Sequence, residues 1–178
     1  KKEVVENAYP GDIVGLYDSG NFKIGDTLTE GEIVHFKGIP SFSPEQFRYV
    51  VNKDPMKTKQ LNKGLKQLMD EGVAQMFNME MNNRKVVGTV GALQFEVIQY
   101  RLEHEYGAKV DYEPMRLHKA CWVTSDNPIA LAEMERKRKK DMAKDTHGDL
   151  VMMAESQWAL QMAQQNHPEV EFHFTNEF

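Results

Sequence analysis

The spacing of hydrophobic and polar residues predicts four strands and two helices between residues 45 and 113. Four short runs are rich in side chains typical of β-strands, and two longer runs repeat apolar side chains at helical spacing. Their order is β-α-β-β-α-β, that of the ferredoxin-like split βαβ unit. The predicted strands are residues 45–52, 73–79, 85–90 and 109–113. The first predicted helix follows Asp54-Pro55, and the second spans residues 92–106.

Capping residues indicate where these two helices begin and end. Asp54 before Pro55 is an N-cap acid followed by proline in the first turn. Gly72 and Gly107 end the two helices, because glycine adopts the left-handed conformation of a C-cap without steric cost. The first helix carries one apolar stripe, formed by Leu61, Leu65, Leu68 and Met69. The second helix carries two neighbouring stripes: Leu93, Val97 and Tyr100 form one, and Phe95, Ile98 and Leu102 form the other.

Residues 114–178 continue in the same style, with the predicted order β-α-β-α-β. Ser125-Asp126-Asn127-Pro128 opens a helix that we expect to run to about Lys140, and Ser156 starts another that carries Trp158 and Met162 at i, i+4 spacing. We therefore predict an α+β fold in which the ferredoxin-like unit is extended by further α/β elements. The expected strands of this part are residues 116–123, 150–153 and 170–174.

The first 42 residues have a different pattern, in which glycine-containing turns separate short β-type runs such as residues 13–16 and 32–36. Strands this short cannot bury a core alone, so the segment predicts the tail end of a β-barrel or sandwich. Pro40 and Pro44 favour an extended linker after it. The sequence therefore predicts two domains, residues 1–42 and residues 43–178.

Composition excludes several classes of protein. The chain has 178 residues, of which 40% are hydrophobic and 28% charged, values typical of a globular protein. No apolar run is long enough to cross a membrane, and the acidic start predicts no signal peptide. A single cysteine, Cys121, allows no internal disulfide, so we expect a cytoplasmic protein. The net charge of −5 leaves only local patches for contact with phosphate.

Motifs for catalysis are scarce, and we expect neither a catalytic site nor a bound cofactor or metal in this chain. The six histidines lack metal-binding spacing, and Cys121 in an apolar run predicts a small buried side chain rather than a nucleophile. Residues 145–148 fit the Asp-x-x-Gly pattern of GTPases, but the phosphate-binding loop Gly-x-x-x-x-Gly-Lys-Ser/Thr is absent from the sequence.

Two sets of cations are candidate contacts for phosphate groups. One set ends a predicted helix, where the helix dipole favours cations, and the other lies on the polar side of the first helix. Each set is typical of a solvated helix surface and also of a phosphate-binding patch. The residues are Arg136, Lys137, Arg138, Lys139 and Lys140 in the first set and Lys59, Lys63 and Lys66 in the second.

Several motifs resemble a known family. Residues 8–16 (AYPGDIVGL) and 24–28 (IGDTL) look like the end of the β-barrel second domain of translational GTPases. From there to residue 174 the chain resembles the bacterial class II peptide-chain release factors, the release factor three family. The most specific match is residues 87–97, which include VGALQFEV; further matches are residues 36–45, 59–65, 122–123 and 168–172.

The resemblance implies a C-terminal region without its GTPase domain, which would lie upstream of Lys1 and would bind GTP and magnesium. It implies a role in translation termination: the parent GTPase promotes the departure of class I release factors after peptide release. This chain would dock on the ribosome, contact RNA and protein of the small subunit, and move relative to its own GTPase domain. The resemblance implies no membrane contact and a monomer.

Two alternatives stay open at this point. The chain also fits the corresponding region of another translational GTPase, such as a relative of elongation factor G. A stand-alone hydrolase that uses Asp145–Gly148 or a pair of carboxylates is the alternative from a different functional class.

Overall fold

The computed structural model describes residues 4–17, 21–22, 26–33 and 43–175. Its described part holds eight strands and four α-helices, a mixed α+β architecture. The strands are β1 Gln46–Asn52, β2 Gln75–Met79, β3 Lys85–Thr89, β4 Val110–Pro114, β5 Lys119–Thr124, β6 Met142–Lys144, β7 Leu150–Ala154 and β8 Glu171–His173; the helices are α1 Thr58–Asp70, α2 Leu93–Tyr106, α3 Pro128–Lys137 and α4 Gln157–Asn166.

The predicted caps are confirmed. Asp54 accepts a hydrogen bond from the backbone N–H of Met56 at 3.0 Å, in a short 3₁₀ turn that leads into α1. Asn127 and Ser156 accept in the same way at the starts of α3 and α4. Gly107 ends α2 with φ +63°, the left-handed conformation for which glycine is suited.

All eight strands lie in one antiparallel sheet, in the order β4-β1-β3-β2-β6-β7-β5-β8. The first four strands with α1 and α2 follow the predicted element order. The last four strands have the equivalent order and, with α3 and α4, also run β-α-β-β-α-β. The sheet thus consists of two halves of equal topology, joined by the pairing of Met79 on β2 with Ala143 on β6.

Strand β6 is missing from the predicted order of the second half, which is therefore wrong at this point. The helix predicted to reach Lys140 ends at Lys137, and a 3₁₀ turn at Lys139–Asp141 leads directly into β6. This strand has only three residues, too few for an alternating pattern to be visible. What forms it is pairing on both sides, with β2 and with β7, a tertiary effect.

The sheet curls so strongly that its distant parts meet. Phe77 lies on β2 and Trp122 on β5, three strands away, so their backbones would be about 14 Å apart in a flat sheet. Their ring centroids are nevertheless only 5.9 Å apart. The Ser43 hydroxyl, just before β1, donates a hydrogen bond to the carbonyl oxygen of Phe174, just after β8. The concave face forms an inner core of buried residues: Phe47, Phe77, Met79, Val86, Ala120, Trp122, Ala143, Val151 and Met153.

Both pairs of helices pack on the convex face. On α2, the stripe of Phe95, Ile98 and Leu102 is buried, whereas the other predicted stripe of Leu93, Val97 and Tyr100 is exposed. Helices α1 and α2 approach each other closely at Gly64, where an added Cβ would lie 2.8 Å from the side chains of Leu102 and Tyr106. One convex core lies under α1 and α2 and another under α3 and α4. Each half therefore has its own outer core, and the inner core is shared.

A buried hydrogen bond completes the inner core. The indole N–H of Trp122 donates to Oδ2 of Asp145 at 2.9 Å, and both side chains are buried. The other carboxylate oxygen accepts from the backbone N–H groups of His147 and Asp149, each at 2.9 Å. One carboxylate thus satisfies the only polar atom of the central tryptophan and holds the loop between β6 and β7.

The predicted strand at residues 13–16 is not formed, since the described residues before position 43 contain neither strand nor helix. Ile13 is fully exposed there. A strand needs a partner for its backbone groups, and none of the described residues pairs with this segment. One of the glycine-containing turns predicted in this segment is present at Gly11: Asp12 N–H donates to the carbonyl oxygen of Tyr9 at 3.0 Å, and Gly11 has φ +97°. Residues 34–42, with part of the predicted strand at 32–36 and the linker, lie outside the described residues. The division at residues 42 and 43 stays a prediction.

Replacing Asp145 is expected to destabilise the chain. In Asp145→Ala the buried indole N–H loses its acceptor, which we expect to lower the free energy of unfolding by about 1–3 kcal/mol. Urea denaturation measures the change. Asp149→Ala, at an exposed position of the same loop, is the control and should stay within about 0.5 kcal/mol of wild type. Equal stability of the two variants would show that the hydrogen bond contributes nothing.

Adding a methyl group at Gly64 tests the contact between α1 and α2. Overpacking against Leu102 and Tyr106 costs about 1–3 kcal/mol, and the higher helix propensity of alanine returns roughly 1 kcal/mol. We expect Gly64→Ala to lower stability by roughly 1 kcal/mol in thermal or urea unfolding. Asn62→Ala, on the exposed side of α1, should be neutral or slightly stabilising. A stabilised Gly64→Ala variant would contradict the close packing.

Candidate functional site

The five cations predicted at the end of the third helix follow one another through the last turn of α3 and the 3₁₀ turn after it, and are called here the α3 basic cluster: Arg136, Lys137, Arg138, Lys139 and Lys140. Buried Met134 anchors the last turn of α3, and the cluster follows it into the 3₁₀ turn. Four of the five side chains are exposed, and Arg138 is half-buried. The dipole and free carbonyls of the helix end favour positive charge at this position.

Ion pairs neutralise only part of the α3 basic cluster. The ammonium group of Lys137 lies 2.6 Å from the carboxylate of Glu133, and this hydrogen bond lowers the pKa of Glu133. Lys140 lies 4.0 Å from the carboxylate of Asp141, whose pKa is raised by burial. Among the described residues, no carboxylate lies within 4.0 Å of the cationic groups of Arg136, Arg138 or Lys139. Three of the five cations therefore lie without a close ion pair among the described residues, although the charges of Arg136 and Arg138 still act on Glu133 and Asp141.

A groove of about 370 Å³ separates the α3 basic cluster from α4. Arg138, Lys140 and Asp141 line its α3 side. Trp158, Met162 and other residues of α4 line the opposite side. Trp158 is 70% exposed, although it is one of the two tryptophans of the chain and the other is buried in the inner core. The groove thus combines cations with an accessible aromatic surface.

His167 reports how close the ends of α3 and α4 lie. It caps the C-terminus of α4, where its backbone N–H donates to the carbonyl oxygen of Ala163 at 3.0 Å. Burial lowers the pKa of His167 below 6.5, and the positive charges of Arg138 and Lys137 lower it further. This direction agrees with the groove that Arg138 and Lys140 share with residues of α4.

The second predicted set, the α1 lysine row of Lys59, Lys63 and Lys66, lies on the exposed side of α1, away from its buried leucines. No carboxylate of the described residues lies within 4.0 Å of these three ammonium groups. The row and the α3 basic cluster belong to helices on different halves of the sheet. The structure therefore brings each set together but presents two basic surfaces.

Several arginines have internal partners instead. The Arg101 guanidinium pairs with the carboxylates of Glu71 and Glu105, and these bonds raise its pKa. Arg84 pairs with Glu113 and lies over the ring of Tyr49. These cations stabilise the first half of the sheet and its helices. The contrast singles out Arg136, Arg138 and Lys139 of the α3 basic cluster, and the α1 lysine row, as cations with no carboxylate within 4.0 Å among the described residues.

The Asp-x-x-Gly segment at residues 145–148 forms a turn in which Asp145 holds the loop and the indole of Trp122. The carboxylates of Asp145 and Asp149 and the imidazole of His147 place ligand atoms within 4.8 Å of one another. Two of the three residues are exposed, and the hydrogen bonds to Asp145 account for the geometry of the turn. The role that the structure gives Asp145 is structural.

Cys121 is fully buried, which confirms the predicted small apolar role. Burial raises the pKa of its thiol to about 12, and the positive charge of Lys119 lowers it only in part. At neutral pH the side chain is therefore a thiol and not a thiolate, the form that reacts as a nucleophile.

Sequence reasoning did not single out Trp158 as a surface residue. The buried positions of α4 are Leu160 and Ala163, one turn apart. Trp158 lies two residues before Leu160, about 200° around the helix at 3.6 residues per turn. Taking Leu160 and Ala163 as the buried stripe places Trp158 on the opposite, exposed side, so the signal was present in the spacing.

A comparison with protein families agrees with this fold and its motifs. The model of the family described as class II release factor RF3, C-terminal domain, matches residues 36–164, more than two thirds of the chain. The match shows a domain of a translation-termination release factor, with a role related to the ribosome. The chain belongs to the RF3 C-terminal domain family. Among the described residues, no helix has the length and apolar character to cross a membrane.

The pKa of His167 provides a test of the geometry at the α3 basic cluster. We expect NMR titration to give a midpoint below 6.5, and Arg138→Gln to raise it by removing a nearby positive charge. Because the folded-state pKa is lowered, the contribution of His167 to stability is complete above pH 6.5 and is lost as the pH falls through the folded pKa. Lys109→Gln, in the other half of the chain, is the control. An unchanged midpoint in Arg138→Gln would show that the charge of Arg138 does not act on His167 and would contradict this placement of the α3 basic cluster beside α4.

Proposed function

We propose that this chain docks a class II release factor on the small ribosomal subunit through phosphate groups of ribosomal RNA. The α3 basic cluster is the principal contact, and the α1 lysine row is a second. The observation that carries this proposal is that Arg136, Arg138 and Lys139 lie on an exposed helix end without carboxylate partners among the described residues, in a chain of net charge −5. In such a chain, local patches and not the overall field supply contacts to phosphate.

We further propose a division of the chain into domains and units that suits this role. Each half of the sheet is a ferredoxin-like unit, which the shared strand order and the β-α-β-β-α-β sequence support. Residues 1–42 are the end of the β-barrel second domain of a translational GTPase, and residues 43–178 form the third domain.

The parent protein in this proposal is a cytoplasmic, monomeric GTPase whose GTP and magnesium sites lie in a domain outside this chain. The present chain is not catalytic; it transmits GTP-linked rearrangement so that a class I release factor leaves the ribosome. A ribosomal protein of the small subunit contributes to the docking site. The family match favours this proposal over the region of an elongation factor G relative.

Charge reversal tests the docking surface. We expect Arg136→Glu/Lys139→Glu to weaken binding of the chain to purified small ribosomal subunits about tenfold or more near 0.1 M salt. Loss of two phosphate contacts should also reduce the slope of log K against log salt by roughly 1.5. Filter binding or light scattering over a salt series measures both.

The matched control is Lys53→Glu/Lys109→Glu, which changes the net charge equally. Both lysines are exposed, but they pair with Asp111 and Glu103 in the first half of the sheet. A separate Lys59→Glu/Lys63→Glu/Lys66→Glu variant measures the share of the α1 lysine row. Unchanged affinity and slope in both cluster and row variants would overturn the proposed docking surface, and equal losses in the control would reduce it to an effect of overall charge.

A further inference from the structure

We propose that the groove between the α3 basic cluster and α4 binds one unpaired base of RNA, which stacks on Trp158. This inference rests on the proposed function and deepens it, because it names the form of RNA that the surface recognises. A cluster of cations alone contacts phosphates of any RNA. An exposed aromatic side chain beside it adds a contact that paired bases cannot make.

Trp158 is exposed on the outer side of α4. Tryptophan has one of the largest apolar surfaces among side chains, and Trp122 shows what the chain does with this residue type when it serves packing: Trp122 is 1% exposed, against 70% for Trp158. Helix α4 packs on the sheet through Leu160 and Ala163 on its other side. Trp158 therefore has no part in the core under α4.

Trp158 also lies in a concave site. A single exposed apolar side chain on a flat surface needs no explanation. Trp158, however, lines a groove of about 370 Å³, within the size range of small-ligand sites, together with Arg138 and Lys140. Cations at the rim suit the phosphates on either side of a base whose ring lies on the indole.

The other residues that line the groove include hydrogen-bonding and apolar side chains. Asp141 and Glu155 offer carboxylate oxygens that accept hydrogen bonds from base N–H groups, and Asn166 offers an amide. Ala159 and Met162 supply an apolar floor beside the indole. A phosphate-only contact would have no use for these carboxylates, which repel it. Acceptors, an aromatic face and cations in one groove fit a nucleotide with its base inserted.

The decisive experiment compares Trp158→Ala with Trp158→Phe on purified small ribosomal subunits. We expect Trp158→Ala to weaken binding about tenfold and Trp158→Phe, which retains a ring, to bind nearly as wild type. Tyr100→Ala is the matched control, since Tyr100 is an exposed aromatic residue on the outer side of α2. Thermal unfolding of each variant verifies that the fold is unchanged.

Chemical probing of the bases gives the readout that a structural role would not move. The wild-type chain and Trp158→Phe should protect an unpaired base of the ribosomal RNA from a reagent specific for Watson–Crick edges, and Trp158→Ala should leave that base reactive. The salt slope should stay unchanged in Trp158→Ala, because no phosphate contact is lost.

The outcomes separate this inference from the proposed function. If Trp158→Ala binds and protects as wild type while Arg136→Glu/Lys139→Glu is weakened, base stacking is wrong and docking through phosphates stands. If Trp158→Ala weakens binding without any change in base reactivity, the groove contacts a ribosomal protein and the inference is overturned. If the wild-type chain does not bind small subunits, the proposed function fails and this inference with it.

Discussion

The contact between Phe77 and Trp122 across the curled sheet is the constraint on which the rest of the structure depends. Strands three positions apart meet there, with ring centroids 5.9 Å apart, so the concave face buries itself without a covering helix. Burying a tryptophan requires a partner for its indole N–H, and Asp145 provides it. Since the concave face is filled by its own side chains, all four helices pack on the convex face.

This arrangement decides which charges face solvent. Helices on the outside of a curled sheet present their polar sides to solvent, and the chain uses its cations in two ways. Arg84 and Arg101 are tied to carboxylates and hold neighbouring elements together. Arg136 and Lys139 have no carboxylate partner among the described residues and remain available to a ligand. The proposed docking surface follows from that difference and not from the overall charge, which is negative.

Local signals in the sequence predicted what local physics determines. The caps at Asp54, Asn127 and Ser156 and the stop at Gly107 depend on neighbouring backbone groups, and all are present in the structure. Strand β6 and the curl of the sheet depend on pairing between residues far apart in the chain, which no short pattern contains. The strand at residues 13–16 failed for the same reason, because its pattern was visible but no described residue pairs with it. At the candidate site, the cation sets were predicted, whereas the groove at Trp158 depends on how the packing of α3 and α4 on the sheet places the two helices beside each other.

The most direct test of this account is solution NMR of the chain with labelled aromatic residues. The curled sheet predicts nuclear Overhauser contacts between the ring protons of Phe77 and the indole protons of Trp122, and slow solvent exchange of the Trp122 indole N–H compared with that of exposed Trp158. In a flat sheet the backbones that carry these two side chains would lie about 14 Å apart. Absence of those contacts, with equally rapid exchange at both indoles, would contradict the central claim that the sheet closes around its own inner core.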